Sequence, residues 1–407
     1  GMVFAGFLLL SLAVNVGIFR VDFKKDLAGS RDSRKLLRSS YALNLLTSVM
    51  AILVLTGNFA VIAQGVDLYR QHDFFEQHKG YSYYQLNYKI GQEPELEDGE
   101  DPDCVINQIF QWRFQDRSLE YVDMTPHFGN TYPVILMNSN SMKEQTEMNS
   151  FLADAVSHVK ENEVYLLIPE GLSVESETFS LVEQTGLNFF SDWMPTGENG
   201  KEYVISYKGD VEMLRTYYSF PFRSKMTKNP VILFDNTSGE ATNRLYYAYD
   251  IMYDIEESEL GSFIEEFDLE NQIVVQSNVW DVYQYSLTGA SRSMRICLAL
   301  SLLLLGLQLA LILFIIRLEY RVNSMEMALK KVMGYNRNQR IFAGTITVSV
   351  IGMIVSVVLS LVWELEAGVY LLMSILILAV LETICVITGA QHKERAQVVR
   401  ILKGDHL

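Results

Sequence analysis

Gly200 and Lys201 are the nearest approach in this sequence to a nucleotide site, and they fail as one. A phosphate-binding P-loop needs a glycine five residues before that pair and a Ser or Thr directly after it, the first for the turn and the second to hold magnesium. Pro195 and Glu202 occupy those two positions. There is also no G-x-S-x-G elbow, no H-E-x-x-H helix and no paired-cysteine motif. His72 and His78 have no obvious metal partners in sequence and read as ordinary polar residues. Asn236-Thr237-Ser238 fits the glycosylation pattern, which arises often by chance. No catalytic, cofactor-binding or metal-binding residue is assigned, and the chain is not expected to be an enzyme.

The ionisable residue that stands out is Glu382, because its neighbours are almost all apolar. The chain has 407 residues, 49% apolar, with a formal net charge of −16. Its apolar residues concentrate in five runs: Met2–Phe19, Tyr41–Ala63, Ile296–Ile316, Ile341–Trp363 and Val369–Ala390. About 20 such residues cross a bilayer as a helix, so five spans are expected. The first run lacks the basic n-region and small-residue cleavage site of a signal peptide. Glu382 then lies roughly 21 Å into the last span at about 1.5 Å per residue. An ionisable group at that depth is either functional or hydrogen-bonded to a neighbouring helix. In the fourth span Gly352, Ser356 and Ser360 recur every four residues, a small-residue face suited to close helix packing.

Charge sets the orientation. Residues 64–290 hold 14 Lys and Arg against 39 Asp and Glu, a net −25, and the rest of the chain is basic at +9. The basic excess lies in 20–40, 317–340 and 391–407, which the positive-inside bias puts in the cytoplasm. Residues 64–290 are then extracytoplasmic. Gly1 opens directly on a span, so it is expected to be a cloning remnant or the edge of a longer protein. Of three cysteines, only Cys104 lies in the polar stretch, and no structural disulfide is expected.

The region 64–290 alternates short apolar runs with amphipathic stretches, which predicts a mixed α/β domain. Strands are expected at Pro133–Met137, Val164–Ile168, Tyr203–Tyr207, Val231–Phe234, Arg244–Ile251 and Gln272–Gln276. Helices are expected over Ser141–Lys160 and Glu256–Phe267. The first has a capping box of Ser141 with Glu144 and an apolar face of Met148, Leu152, Ala155 and Val159. Residues 64–79 and 277–293 read as helical stalks. The run Glu93–Asp103 has seven acids in eleven residues and is either a solvated loop or a lure for a cationic peptide; its spacing does not fit a calcium-binding EF-hand.

The connector 317–340 carries the most information. Leu318, Val322, Met325, Leu329 and Val332 are spaced 4-3-4-3, an apolar stripe down a helix that continues the third span. Gly334 offers the left-handed conformation that ends it. Such a helix docks on a partner or lies in the headgroups. The stretch Glu326-Met327-Ala328-Leu329-Lys330-Lys331-Val332-Met333-Gly334-Tyr335-Asn336-Arg337 resembles the cytoplasmic signature of FtsX/MacB-like ABC transporter permeases. Span order over 41–407 and the tail Leu402-Lys403-Gly404 fit that class, and Lys228–Asp235 and Ile273–Tyr285 read like bacteriocin-associated integral membrane proteins of Gram-positive bacteria.

The resemblance implies a permease subunit, or its carboxy-terminal half, without its own engine. A separate ABC ATPase subunit would dock at Leu318, Val322, Met325, Glu326, Leu329, Lys330 and Gly334. Further expected partners are the lipid bilayer, a second permease copy or a missing amino-terminal half, and a cationic peptide substrate; no cofactor and no nucleic acid are expected. The task implied is antimicrobial peptide export or immunity. A membrane-anchored receptor or sensor, with an outer ligand-binding domain and no ATPase, is the rival reading; it has no need of a docking helix ending at Gly334.

Overall fold

The runs VILMN, VYLLIP and VILFD are buried at every position, the signature of strands covered on both faces. They sit at the centre of one of two units in the computed structural model of the protein. The structure describes residues 30–95, 101–128, 132–172, 177–190, 194–195, 202–216, 224–238, 250–323, 329, 333–334, 343–362 and 368–402.

In chain order the elements are α1 (Ser30–Arg70), α2 (His72–Gln77), β1 (Ser82–Asn87), α3 (Pro102–Arg113), β2 (Ser118–Leu119), β3 (Val122–Asp123) and β4 (Val134–Asn138). There follow α4 (Ser139–Met148), α5 (Ser150–Ala155), β5 (Val164–Pro169), α6 (Glu177–Phe190), β6 (Val204–Tyr207), β7 (Glu212–Arg215), β8 (Lys225–Lys228) and β9 (Val231–Asp235). Last come β10 (Met252–Tyr253), α7 (Glu257–Glu266), β11 (Ile273–Asn278), α8 (Val279–Val322), α9 (Ala343–Val362) and α10 (Gly368–Leu402). One unit comprises Gly1–Ala63 with Ser293–Leu407 and is helical in its described residues; the other, Gln64–Arg292, is mixed α/β.

In the α/β unit a five-stranded sheet runs β3-β4-β9-β5-β6. β4 pairs with β9 in parallel, β9 with β5 antiparallel. Period-two alternation sends Val134, Leu136, Leu166 and Leu233 to one face, against Phe110 of α3, Phe179 of α6 and Phe263 of α7. Ile135, Met137, Leu167 and Phe234 face the other way, toward Phe75, Met142, Leu152 and Tyr283. A second sheet, β11-β1-β10-β2, is antiparallel throughout, and β7 with β8 forms a hairpin pair. The two ends of the unit are helical and tied together: Phe75 stacks on Tyr283 at 4.6 Å, and the Tyr283 hydroxyl donates to the Leu68 carbonyl at 2.9 Å.

Three expectations are corrected. The helix predicted over Ser141–Lys160 is two helices, broken at Asn149, whose extended backbone and side chain cap α5 by accepting from the Phe151 N–H. Met148 is consequently 62% exposed instead of lying on the buried face. The cap of α4 is Asn138, which accepts from Ser141 N–H, so Ser141 and Glu144 are left for other partners. Finally, the acidic run is not loop to its end: Asp101 caps α3, with Pro102 at its first position. The strand expected at Arg244–Ile251 lies outside the described residues except for Asp250 and Ile251, which precede the two-residue β10.

In the helical unit and the helices it shares, Lys35–Gln77, Val279–Glu319 and Gly368–Cys385 are long and apolar enough to cross a membrane. α9 contains a shorter apolar stretch, Ser349–Val358. The expected first span, Met2–Phe19, lies outside the described residues, as does almost all of the linker before residue 30.

A polar cluster among the apolar helices as candidate functional site

Helical spacing explains how polar groups meet inside an apolar unit. Ser40, Asn44 and Ser48 recur every four residues on α1, share one face, and are all buried. Ser301 and Gln308 lie seven apart on α8, again on one face. α9 contributes Ser349, Gly352 and Ser356, and α10 contributes Ser374 and Glu382.

Gln308 is the hub. Its Nε2 donates to Asn44 Oδ1 at 2.9 Å and to Ser48 Oγ at 2.7 Å. The Glu382 carboxyl lies close to both Gln308 and Ser349. Polar side chains of α1, α8, α9 and α10 thus meet, and Glu382 among them is only 7% exposed. Asn44 Nδ2, fully buried, has no hydrogen-bond partner among the described residues. Nearby rungs repeat the theme: Asn58 Nδ2 donates to Ser301 Oγ at 2.9 Å, and Thr56 Oγ1 to Ser374 Oγ at 3.2 Å. Hydrogen bonds of this kind hold membrane helices together where no hydrophobic effect drives their association.

The small-residue face of α9 packs beside this network. A Cβ built on Gly352 would meet Leu45 Cδ1 and Ser48 Cβ at 3.5 Å, and Ser356 is fully buried, its hydroxyl donating to the Gly352 carbonyl at 2.8 Å. Ser360 lies on the same helix, but its side chain is outside the described residues.

The connector residues divide. Leu318 is 4% exposed and packs with Leu37, Leu311 and Ile315, with Val322 beside them. Its place is inside the helical unit. Leu329 and Met333 are 61% and 64% exposed, and the Met333 N–H donates to the Leu329 carbonyl at 2.9 Å. Gly334 has φ +80°, a conformation L side chains rarely adopt. Met325, Glu326 and Lys330 lie outside the described residues, as do Gly200 and Lys201.

A second polar cluster occupies the α/β unit. His78 Nδ1 contacts the Phe74 carbonyl at 2.8 Å and its Nε2 lies 3.3 Å from Glu144. Glu144 also accepts from the buried Tyr121 hydroxyl at 2.8 Å. Burial pushes the His78 pKa down, but the hydrogen bond and charge of Glu144 with the Phe74 carbonyl outweigh it, and the net shift is upward. Burial and the Glu144 charge likewise hold the Tyr121 hydroxyl well above its ordinary range. His72, Asp73 and Glu76 bring potential ligand atoms within 4.8 Å of one another, on a short and largely exposed helix turn.

The arrangement supplies interhelical hydrogen bonds beside a buried carboxyl. Sequence reading singled out Glu382, Gly352 and Ser356 but missed Gln308, Asn44 and Ser48. The missed signal was the four-residue recurrence of polar side chains on α1, which lay inside a run read only for hydrophobicity. No protein-family model matches the chain, and no curated protein matches it.

Proposed function

We propose that this chain is the permease subunit, or the carboxy-terminal half of one, of an FtsX/MacB-like ABC transporter. A partner ATPase docks at the connector after α8, and its cycle drives work by the α/β unit outside the membrane, in export of or immunity to an antimicrobial peptide. Residues 20–40, 317–340 and 391–407 are cytoplasmic in this reading, following their basic excess.

The observation that supports it best is the state of the connector. Leu329 and Met333 are exposed apolar side chains one helical turn apart, next to a glycine at φ +80°, a conformation suited to ending a helix. A soluble partner with an apolar groove has something to grip there. The acidic balance of 64–290 suits a cationic peptide through long-range attraction.

The test is capture of the intact protein from its host membrane in mild detergent, beside a Leu329→Asp variant. A Walker-motif ATPase should accompany the native chain and be lost with the variant. If neither brings down an ATPase while both remain folded, the receptor reading replaces this one.

A further inference from the structure

β11 is the outer strand of the sheet β11-β1-β10-β2, and it has six residues where the opposite edge, β2, has two. Edge strands invite pairing by another chain unless they are short, charged or covered. β11 reads IVVQSN and carries no charge. Its outward groups follow from the register. The Val279 N–H donates to the Tyr81 carbonyl at 2.9 Å, and the ladder continues through Ser82↔Asn278 to Asn87↔Ile273. Antiparallel pairs alternate between bonded and non-bonded, so Ile273, Val275 and Ser277 bond toward β1. Among the described residues β11 pairs with β1 alone; Val274 and Gln276 direct their N–H and C=O groups to the other edge, while the Asn278 carbonyl is taken up in starting α8.

The side chains add two features. Ile273 and Val275 are 46% and 40% exposed on one face of the sheet, and Ile90 is fully exposed next to Lys89, whose N–H donates to the Gln272 side chain at the start of β11. Glu93, Glu95, Asp268 and Glu270 are exposed and close in sequence to the start of β11, with Lys89 the one basic residue in 87–95 and 268–278; Lys79 lies at the far end, its carbonyl accepting from the Asn278 side chain at 2.8 Å. A backbone edge unpaired among the described residues, apolar side chains on its surface and acids close in sequence to its start together define one kind of ligand.

We propose that the free edge of β11 binds a cationic peptide in extended conformation, which adds to the sheet as a further strand. Backbone pairing at Val274 and Gln276 supplies affinity without sequence preference. Ile273 and Val275 favour apolar side chains on alternate peptide positions, and the acids near the start of β11 favour lysine or arginine in the peptide. This names the substrate class and docking place for the permease reading on which it rests, but its test involves no ATPase. Failure of peptide binding and failure of ATPase capture are therefore separate results.

The full chain in zwitterionic-lipid nanodiscs is titrated against a fluorescent peptide of about nine residues, alternating lysine and valine, followed by anisotropy. Empty nanodiscs give the background. Saturable binding that weakens with salt is expected. The same peptide N-methylated at every second residue, which cannot pair along a strand edge, should bind about tenfold more weakly or not at all. Gln276→Pro removes one outward N–H from the edge and should weaken binding similarly, whereas Gln276→Ala, which keeps it, should not. Equal binding by the N-methylated peptide would reduce the interaction to charge alone and overturn the proposal. Equal binding by an alternating glutamate–valine peptide overturns the charge preference. Peptide-independent dimers abolished by Gln276→Pro assign the edge to a second copy of the chain instead.

Discussion

At Gln308 one amide holds side chains on α1 and contacts the carboxyl on α10. Gln308→Leu keeps volume but leaves Asn44 and Ser48 without the donor they share in apolar surroundings. Each buried polar group so stranded costs roughly 1–3 kcal/mol, against about 0.6 kcal/mol for an average membrane hydrogen bond. The detergent-solubilised variant should therefore melt well below the parent, while Ser48→Ala, which removes one acceptor and strands nothing charged, should melt close to it. Similar melting of the two variants would show that Gln308 is not a hub. His78 makes a different prediction, because its folded pKa is raised. Its contribution is fully present below the unfolded value of about 6.5 and is lost as pH rises through the folded one. Comparing the parent with His78→Gln, the stability gap should be widest at acid pH and close toward alkaline pH; a gap independent of pH would mean that His78 does not pair with Glu144 as a cation.

At the scale of elements, the close approach of α9 to α1 rests on a residue without a side chain. The space at Gly352 admits a methyl in ordinary contact with Leu45 and Ser48 but nothing longer. Gly352→Ala should melt within a few degrees of the parent, and Gly352→Leu should lower the melting point sharply by forcing the helices apart. Gly352 and Ser356 were legible in the sequence because a four-residue repeat of small residues has one physical meaning in an apolar helix. The buried strands were legible for a similar reason, since VILF and VYLLI leave no polar face to point outward. What the sequence hid was local competition. Ser141 with Glu144 matched a capping box, but Asn138 stands three residues earlier and caps first. Asp101 and Asp103 were hidden by their acidic neighbours, although Asp-Pro-Asp is a helix start in its own right. Asp101→Ala should cost about 1 kcal/mol as a lost cap, measured by denaturant titration; no loss would return that segment to a solvated loop. The strand β1, SYYQLN, has too weak an alternation to stand out, and its pairing with β11 joins residues about 190 apart in sequence.

For the molecule as a whole, the division between an acidic α/β unit and a basic remainder makes a single claim about sidedness. Residues 64–290 carry a net −25 and the rest +9, and a membrane sorts such segments by their Lys and Arg. Thiol labelling can read the result, but Cys104 is a poor reporter. Its thiol is pushed up to about 11 by burial and by Asp101 and Asp103, so little thiolate forms at neutral pH. Reporters belong at exposed positions with Cys104 replaced by Ser: Glu161→Cys in the α/β unit and Met333→Cys in the connector. A membrane-impermeant maleimide should label Glu161→Cys in intact cells and Met333→Cys only after permeabilisation. The reverse pattern would put the α/β unit beside the ATP pool and the connector outside, where no ATPase could reach Leu329. Labelling of both in intact cells would place the two on one side and leave the ends of α1 and α8 without the opposed faces that transmission across a bilayer requires.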